Sequence, residues 1–237
     1  MLETTGRVMM ISGANRGIGA ALARQFAADG WHLSLGGRDL AGLEAVGVQL
    51  PHDHVSVHRY DANDPASGAT WVAETMDRHG RIDGLTNNAG MGHLAGIEDL
   101  TADQLDEMWT VNTKAPFLLI QEALGHLRVS GEGRIVNVVS MSGKRVKGTF
   151  GPGYAMTKHA TLALHHAVRH ATYDDGIRCT AVCPGYVATD MTADFGPDAA
   201  SMIQPNDLAE TVATIVRLPN TANVTEILMT CEPEVLA

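Results

Sequence analysis

The stretch Val8-Met-Met-Ile-Ser-Gly-Ala-Asn-Arg-Gly-Ile-Gly19 decides the predicted fold of this chain. It starts with the apolar run Val8–Ile11, which is typical of a buried strand, and the apolar spacing after it predicts a helix closed by Gly30. Glycines in the intervening turn let the backbone bend sharply and approach a ligand closely. The free N–H groups at the start of the helix then form an arrangement that binds phosphate.

Short apolar runs alternate with longer amphipathic stretches along the rest of the chain. Further strands are predicted at His32–Leu35, Val55–Tyr60, Ile82–Thr86, Ile135–Val139, Ile177–Val182 and Val224–Met229. Helices are predicted from Pro65 (with Asp64 as N-cap), from Thr101 through Phe117, from Tyr154 to about Tyr173, and from Pro205. Strands separated by helices imply parallel pairing. We therefore expect an α/β fold, a doubly wound, seven-stranded, mostly parallel Rossmann-type sheet with helices on both faces, formed by residues 1–237 as a single domain.

The composition narrows the classes of partner. The chain has 27 acidic and 17 basic residues, a formal net charge of −10, which argues against nucleic acid and against an anionic membrane surface. No apolar stretch is long enough for a membrane span, and the polar start Met1–Arg7 does not resemble a signal peptide. Three cysteines without a CxxC pair suit a reducing compartment, so we expect a cytoplasmic protein. We expect no metal site, although His166 and His170 have ligand spacing.

The sequence Tyr154-Ala-Met-Thr-Lys158 predicts a proton-transfer pair. Residues four apart on a helix lie on one face, so the two side chains are neighbours. A free tyrosine has a pKa of about 10, and a nearby ammonium lowers it by favouring the phenolate. Such a tyrosine exchanges a proton with a carbonyl or an alcohol.

Four motifs occur in one order along the chain. They are the glycine turn Gly13–Gly19 with its G-x-x-x-G-x-G spacing, Asn87-Asn-Ala-Gly90, the Tyr154–Lys158 pair and the turn Cys183-Pro-Gly185. Together they resemble the short-chain dehydrogenase/reductase family, from Val8 to Met229. The resemblance implies hydride transfer with a nicotinamide cofactor, and a homodimer or homotetramer built through the helices beginning near Thr101 and Tyr154.

The resemblance also implies further catalytic residues. A serine at the end of the strand Ile135–Val139 polarises the substrate carbonyl in the family, and Ser140 occupies that place. Ser140 precedes Tyr154 by one residue more than is usual, so Ser142 is a rival. Asn112 matches an asparagine that holds a water in a proton relay from the lysine.

The end of the second predicted strand bears on the choice of cofactor. Gly37 stands where an enzyme that uses NAD would place an acidic residue against the ribose, and Arg38 follows it. Two guanidinium groups, from Arg16 and Arg38, would suit a 2′-phosphate, so we favour NADP. The alternative is that Asp39 binds the ribose and the cofactor is NAD.

The predicted cofactor residues are Gly13, Asn15, Arg16, Gly17, Ile18, Gly19, Arg38, Asp61, Ala62, Asn88, Ala89, Gly90, Tyr154, Lys158, Pro184, Gly185, Val187 and Thr189. The predicted substrate residues are Ser142, His93, Tyr186 and Met191. The segment after Gly185 is short, which predicts an open pocket for small or exposed carbonyls. The basic run Lys144, Arg145 and Lys147 is interpreted as a solvated loop rather than as an attractor of keto acids.

The leading functional hypothesis is an NADP-dependent reductase of a small ketone or keto acid, reversible as an alcohol dehydrogenase. A 3-oxoacyl thioester reductase, acting on acyl carrier protein or CoA, is the alternative. It is disfavoured because Gly131-Glu132 and Asp174-Asp175 stand where such enzymes commonly carry arginine. A non-catalytic NADP-binding sensor is less favoured still, because Tyr154 and Lys158 are both present.

Overall fold

Seven strands form one sheet in the order β3-β2-β1-β4-β5-β6-β7, and every neighbouring pair is parallel. The computed structural model describes residues 1–146 and 148–233, with His52 described by its backbone only. The strands are β1 Val8–Ser12, β2 His32–Gly37, β3 Val55–Arg59, β4 Gly84–Asn87, β5 Arg134–Val138, β6 Arg178–Pro184 and β7 Glu226–Met229. The predicted seven-stranded, doubly wound sheet is confirmed.

Helices cover both faces of the sheet. They are α1 Gly17–Ala28, α2 Leu40–Gly47, α3 Ser67–His79, α4 Ala102–Trp109, α5 Ala115–Ser130, α6 Pro152–Thr172 and α7 Pro205–Val216. Side chains alternate along β1, so Met9 and Ile11 belong to one core and Met10 to the other. The first core packs α1 and α7 against the sheet, and the second packs α3 and α5. Within the described ranges, no helix combines the length and the apolar character that crossing a membrane requires.

Three local predictions differ from the structure. Helix α3 begins at Ser67 rather than at Pro65, because the Asp64 carboxylate accepts a hydrogen bond from the Ala66 N–H and caps a turn before the helix. The single helix predicted from Thr101 is interrupted by a π-helical turn at Thr110–Lys114, although its capping box with Gln104 is present. Helix α2 was not predicted at all.

The turn after β1 lies where the strand order reverses, between β2 and β4. Asn88, just past β4, donates side-chain hydrogen bonds to the carbonyls of Ser12 and Gly13 at 2.9 and 3.0 Å. The Ser12 hydroxyl accepts in return from the backbone N–H groups of Asn88 and Ala89, both at 3.0 Å. A β carbon on Gly19 would lie 2.3 Å from the Gly13 carbonyl oxygen. The absence of a side chain at Gly19 therefore permits this close packing.

Replacing Gly19 by alanine tests the packing of the turn. The new methyl group would displace the Gly13 carbonyl and the Asn88 amide, and we expect a loss of unfolding free energy of about 1–3 kcal/mol. Urea unfolding followed by circular dichroism measures the change. Gly125→Ala, in the exposed middle of α5 with no atom within 4 Å of the added carbon, is the matched control. It should gain about 0.5–1 kcal/mol, and equal effects at the two glycines would contradict the packing argument.

Candidate active site

A cavity of about 1010 Å³ opens at the carboxyl ends of the strands. This is the edge at which open parallel sheets bind their ligands. The residues predicted to form the site line this cavity, with the exceptions of Gly19, Asn112 and His93. Gly19 lies beneath the turn, against Gly13 and Asn88.

The other two exceptions have partners elsewhere. The His93 ring faces Glu107 on α4 at 3.3 Å and does not line the cavity, and its contact with substrate stays a prediction. The Asn112 amide donates to the Met91 carbonyl at 2.8 Å and to the Thr157 hydroxyl at 3.0 Å, and its oxygen accepts from the Met91 N–H at 2.9 Å. Asn112 therefore fastens the loop after β4 to α6. Its role in a water relay stays a prediction.

Ser140, Tyr154 and Lys158 face the cavity together. Ser140 follows β5 by one residue, and the other two are one turn apart at the start of α6. The Ser140 hydroxyl interacts with that of Tyr154 and accepts a hydrogen bond from the Ser142 N–H at 3.0 Å. The Lys158 ammonium donates to the Val138 carbonyl at 3.0 Å and lies 5.5 Å from the centre of the Tyr154 ring. Ser140, rather than Ser142, thus has its hydroxyl directed at Tyr154.

Burial is the main influence on the pKa values of Tyr154 and Lys158. Burial raises the pKa of Tyr154, and the Ser140 interaction only partly offsets the rise. The net pKa of Tyr154 is therefore raised rather than lowered, because burial outweighs the other effects, and the role of Lys158 in favouring the phenolate stays a prediction. Burial also lowers the pKa of Lys158 to about 8. Tyr154 consequently holds its proton at neutral pH and is able to donate it.

The start of α1 fits a pyrophosphate. The first N–H groups of a helix have no partner within the helix, and the side chain of the N-cap residue Arg16 does not cap them. Gly17 and Ile18 line the cavity at this point. A β carbon on Gly17 would lie 3.2 Å from the Thr189 methyl group. A side chain at this position would therefore fill the part of the cavity next to the start of α1. Unpaired N–H groups at a positive helix end are suited to an anion.

Three charged side chains at or near the end of β2, those of Arg38, Asp39 and Arg16, have different surroundings. Arg38 is exposed and lines the cavity, beside Gly37. The Asp39 carboxylate is occupied as the N-cap of α2, where it accepts from the Gly42 N–H at 3.0 Å, and Asn15 donates to its other oxygen at 3.4 Å. Arg16 pairs instead with Asp190, at 2.8 Å. The predicted convergence of Arg16 and Arg38 is therefore not observed.

The mouth of the cavity carries apolar side chains that sequence reasoning missed. Leu94, Val146 and Phe150 line it and are 50%, 62% and 78% exposed, while Met191, which was predicted, also lines it and is 47% exposed. A β-bridge between Gly96 and Phe150 joins the two loops that carry the first three. Leucine and phenylalanine within glycine-rich loops were the available signal. Their exposure leaves the mouth open, in line with the prediction from the short segment after Gly185.

The basic residues that follow Ser140 have different surroundings. Lys144 pairs with Glu226 at 2.7 Å, and Arg145 lines the cavity. Lys147 lies outside the described residues. At the far wall, Val187 and Thr189 line the cavity, and the Thr189 hydroxyl donates to the Val187 carbonyl at 3.4 Å.

Comparisons with known proteins agree with this arrangement. A family model described as short chain dehydrogenase matches residues 7–200. An agropine synthesis reductase of Rhizobium rhizogenes is 41% identical over 230 residues, which cover 96% of this chain and 53% of that protein. The chain spans about half the length of the first curated relatives that it matches.

Two solved structures extend the comparison. An alcohol dehydrogenase from the archaeon Thermococcus sibiricus, complexed with 5-hydroxy-NADP, has a TM-score of 0.86 and 29% identity over 94% of this chain and 95% of that one. A 3-ketoacyl-(acyl-carrier-protein) reductase from Brucella melitensis, complexed with NADH, has a TM-score of 0.88 and 26% identity over 96% and 98%.

Replacing Lys158 by methionine tests the cost of its burial. The pKa of Lys158 is about 8 in the folded protein against 10.5 for an exposed lysine, so the folded state binds the proton less well. Below pH 8 this difference opposes folding fully, and it vanishes as the pH rises towards 10.5. We expect Lys158→Met to be more stable by about 1–2 kcal/mol at pH 7, after the lost hydrogen bond to Val138.

Urea unfolding of Lys158→Met and the unaltered protein between pH 7 and pH 10 measures this difference. The gain should shrink as the pH rises. Lys114→Met, at an exposed lysine, is the control and should change stability by less than about 0.5 kcal/mol. A destabilised Lys158→Met protein at pH 7 would contradict the assignment of a buried, costly ammonium.

Proposed function

This chain belongs to the short-chain dehydrogenase family, and we propose that it transfers a hydride between NADP and a small carbonyl compound, which it interconverts with the alcohol. The observation that carries the proposal is the convergence of Ser140, Tyr154 and Lys158 on a cavity that also contains an uncapped helix N-terminus. We also propose that residues 1–237 form a single domain.

In the direction of reduction, each catalytic side chain has a separate task. When bound, the nicotinamide supplies the hydride, and it accepts one in reverse. The Ser140 hydroxyl donates a hydrogen bond to the substrate carbonyl oxygen, and the Tyr154 hydroxyl donates its proton to the same oxygen as negative charge develops there. The raised pKa of Tyr154 keeps that proton in place beforehand. The Lys158 ammonium, 5.5 Å from the ring, then stabilises the phenolate that remains.

Arg38 supports NADP over NAD. Its guanidinium is exposed at the cavity beside Gly37, which has no side chain to bind a ribose hydroxyl. Asp39, the residue on which the NAD alternative depends, has its carboxylate engaged as a helix cap. Arg16 also lines the cavity but pairs with Asp190 at the exposed surface, so the preference is argued from Arg38. The Thermococcus structure holds 5-hydroxy-NADP and the Brucella structure holds NADH, so the support for NADP comes from Arg38.

The walls of the cavity favour a ketone over a keto acid. Leu94, Val146, Phe150 and Met191 present apolar surface at the mouth. Lys144 does not line the cavity and is paired with Glu226, so Arg145 is the one residue of the basic run, among those described, that a carboxylate could meet there. The 3-oxoacyl thioester reductase remains the second candidate, because the open mouth would admit a long acyl substrate and the Brucella reductase has the same fold.

The exposed apolar side chains on three helices support self-association, and the sparse, unpaired cysteines support a cytoplasmic location. Trp109 on α4, Phe117 on α5 and Met156 on α6 are each about half exposed, at 45%, 44% and 50%. Large apolar side chains on neighbouring helices favour burial against a second copy. We propose a homodimer or homotetramer built through these helices.

Replacing Tyr154 by phenylalanine tests the assigned proton donor. Without the hydroxyl no proton reaches the carbonyl oxygen, and we expect kcat for the best ketone to fall by about 10²–10⁴-fold. Binding of NADPH, followed by fluorescence, should stay unchanged. Tyr173→Phe, at the end of the same helix, is the control and should leave kcat unchanged, because its exposed ring packs on Arg178. Near-normal turnover by Tyr154→Phe would overturn the mechanism.

Replacing Arg38 by alanine tests the choice of cofactor. Loss of charge-assisted bonds to the 2′-phosphate should weaken NADPH binding by about 10- to 100-fold, while NADH binding stays unchanged. Titration of both nucleotides by fluorescence gives the two dissociation constants. Arg24→Ala, at an exposed position of α1 that does not line the cavity, controls for net charge. Tighter binding of NADH than of NADPH by the unaltered protein would favour Asp39 and NAD instead.

A further inference from the structure

Three ionisable side chains meet beside the catalytic groups without lining the cavity. The Lys144 ammonium lies 2.7 Å from one carboxylate oxygen of Glu226, and the His166 Nε2 lies 3.3 Å from the other. They come from three separate elements, namely the loop after Ser140, strand β7 and helix α6. Glu226 is only 19% exposed and Lys144 27%, so water screens their attraction less than it would on an open surface.

The charge on Glu226 persists at neutral pH. Burial raises the pKa of Glu226, but the hydrogen bond and charge of Lys144, followed by the charges of His166 and His165, outweigh burial and leave the pKa lowered. The lowered pKa of Glu226 therefore favours its charged form beside Lys144. A charged hydrogen bond of this length is stronger than a neutral one.

Backbone hydrogen bonds connect Lys144 to Ser140 within one short turn. The Lys144 N–H donates to the Met141 carbonyl at 2.9 Å, and the Gly143 N–H donates to the Ser140 carbonyl at 2.9 Å. The Ser142 N–H donates to the Ser140 hydroxyl oxygen at 3.0 Å. We call residues 140–144 the Ser140 turn.

The Ser140 turn also packs against α6. A β carbon on Gly143 would lie 2.7 Å from the Lys158 carbonyl oxygen, so the turn lies directly on the helix that carries Tyr154 and Lys158. A shift of the turn would therefore change the distance between the Ser140 hydroxyl and the Tyr154 hydroxyl. Small displacements of a catalytic group cost large factors in rate.

We propose that Glu226 is a positioning residue, which holds the Ser140 turn through Lys144 and so presents the Ser140 hydroxyl to the substrate carbonyl. The kinetic part of this proposal rests on the proposed function. It assigns to the last strand of the sheet a role in the reaction, although Glu226 does not line the cavity.

A double-mutant cycle tests the coupling between Glu226 and Lys144. We expect Glu226→Gln and Lys144→Met each to lower kcat by about tenfold, with the NADPH dissociation constant unchanged. The double variant should be no slower than either single one, because both remove the same interaction. Lys144→Arg, which keeps the charge, should recover most of the activity lost in Lys144→Met.

The Arg128–Asp175 pair provides a matched control. Its atoms are also 2.8 Å apart, and it lies on the surface at the ends of α5 and α6. Asp175→Asn should leave kcat unchanged. Strictly additive losses in the Glu226 and Lys144 cycle, or equal losses in the control, would overturn the proposal.

Hydrogen exchange gives a readout that does not need activity. In Glu226→Gln and in Lys144→Met, the backbone amides of Ser142, Gly143 and Lys144 should exchange faster than in the unaltered protein, while amides in α1 and β1 keep their rates. Unchanged exchange rates in the Ser140 turn would overturn the proposal that Glu226 holds this turn through Lys144. If the unaltered protein reduces no carbonyl with either nucleotide, the proposed function fails, and the exchange rates alone then decide whether Glu226 holds the turn.

Discussion

The hydrogen bonds between Asn88 and the turn after β1 are the constraint on which the rest of the site depends. They join β1 to the residues after β4 at the place where the strand order reverses, and they fix both the uncapped start of α1 and the loop leading to Gly90. Because these groups bond to each other rather than to water, the crevice between the two halves of the sheet has a defined width. The catalytic helix α6 is then fastened to the same loop through Asn112.

The elements that short-range spacing determines were predictable from sequence. Tyr154 and Lys158 meet because four residues make about one helical turn, and the apolar run of β5 ends beside Ser140 because a strand cannot continue through the turn. The ion pairs of Arg16 and His93 were not predictable, for the opposite reason. Their partners, Asp190 and Glu107, are distant in sequence, and a long flexible side chain chooses between partners that only the folded structure reveals.

Burial was the other quantity that sequence did not supply. The pKa of Tyr154 was expected to fall because Lys158 is near, yet removal from water acts on both groups and opposes both charges. The helix interruption at Thr110–Lys114 was likewise invisible, because a π-helical turn has no local composition that distinguishes it from an α-helix. It places Asn112 inward, against Met91 and Thr157.

The contact between Ser12 and Asn88 spans 76 positions of the chain. During synthesis on the ribosome, the nucleotide-binding turn therefore cannot acquire its final hydrogen bonds until β4 has emerged, although its own residues are made well before β4. Until then β2 can pair with one edge of β1, while the edge that β4 will occupy stays unpaired. Contacts between residues so far apart in sequence form slowly, which lengthens the time for which that edge is exposed.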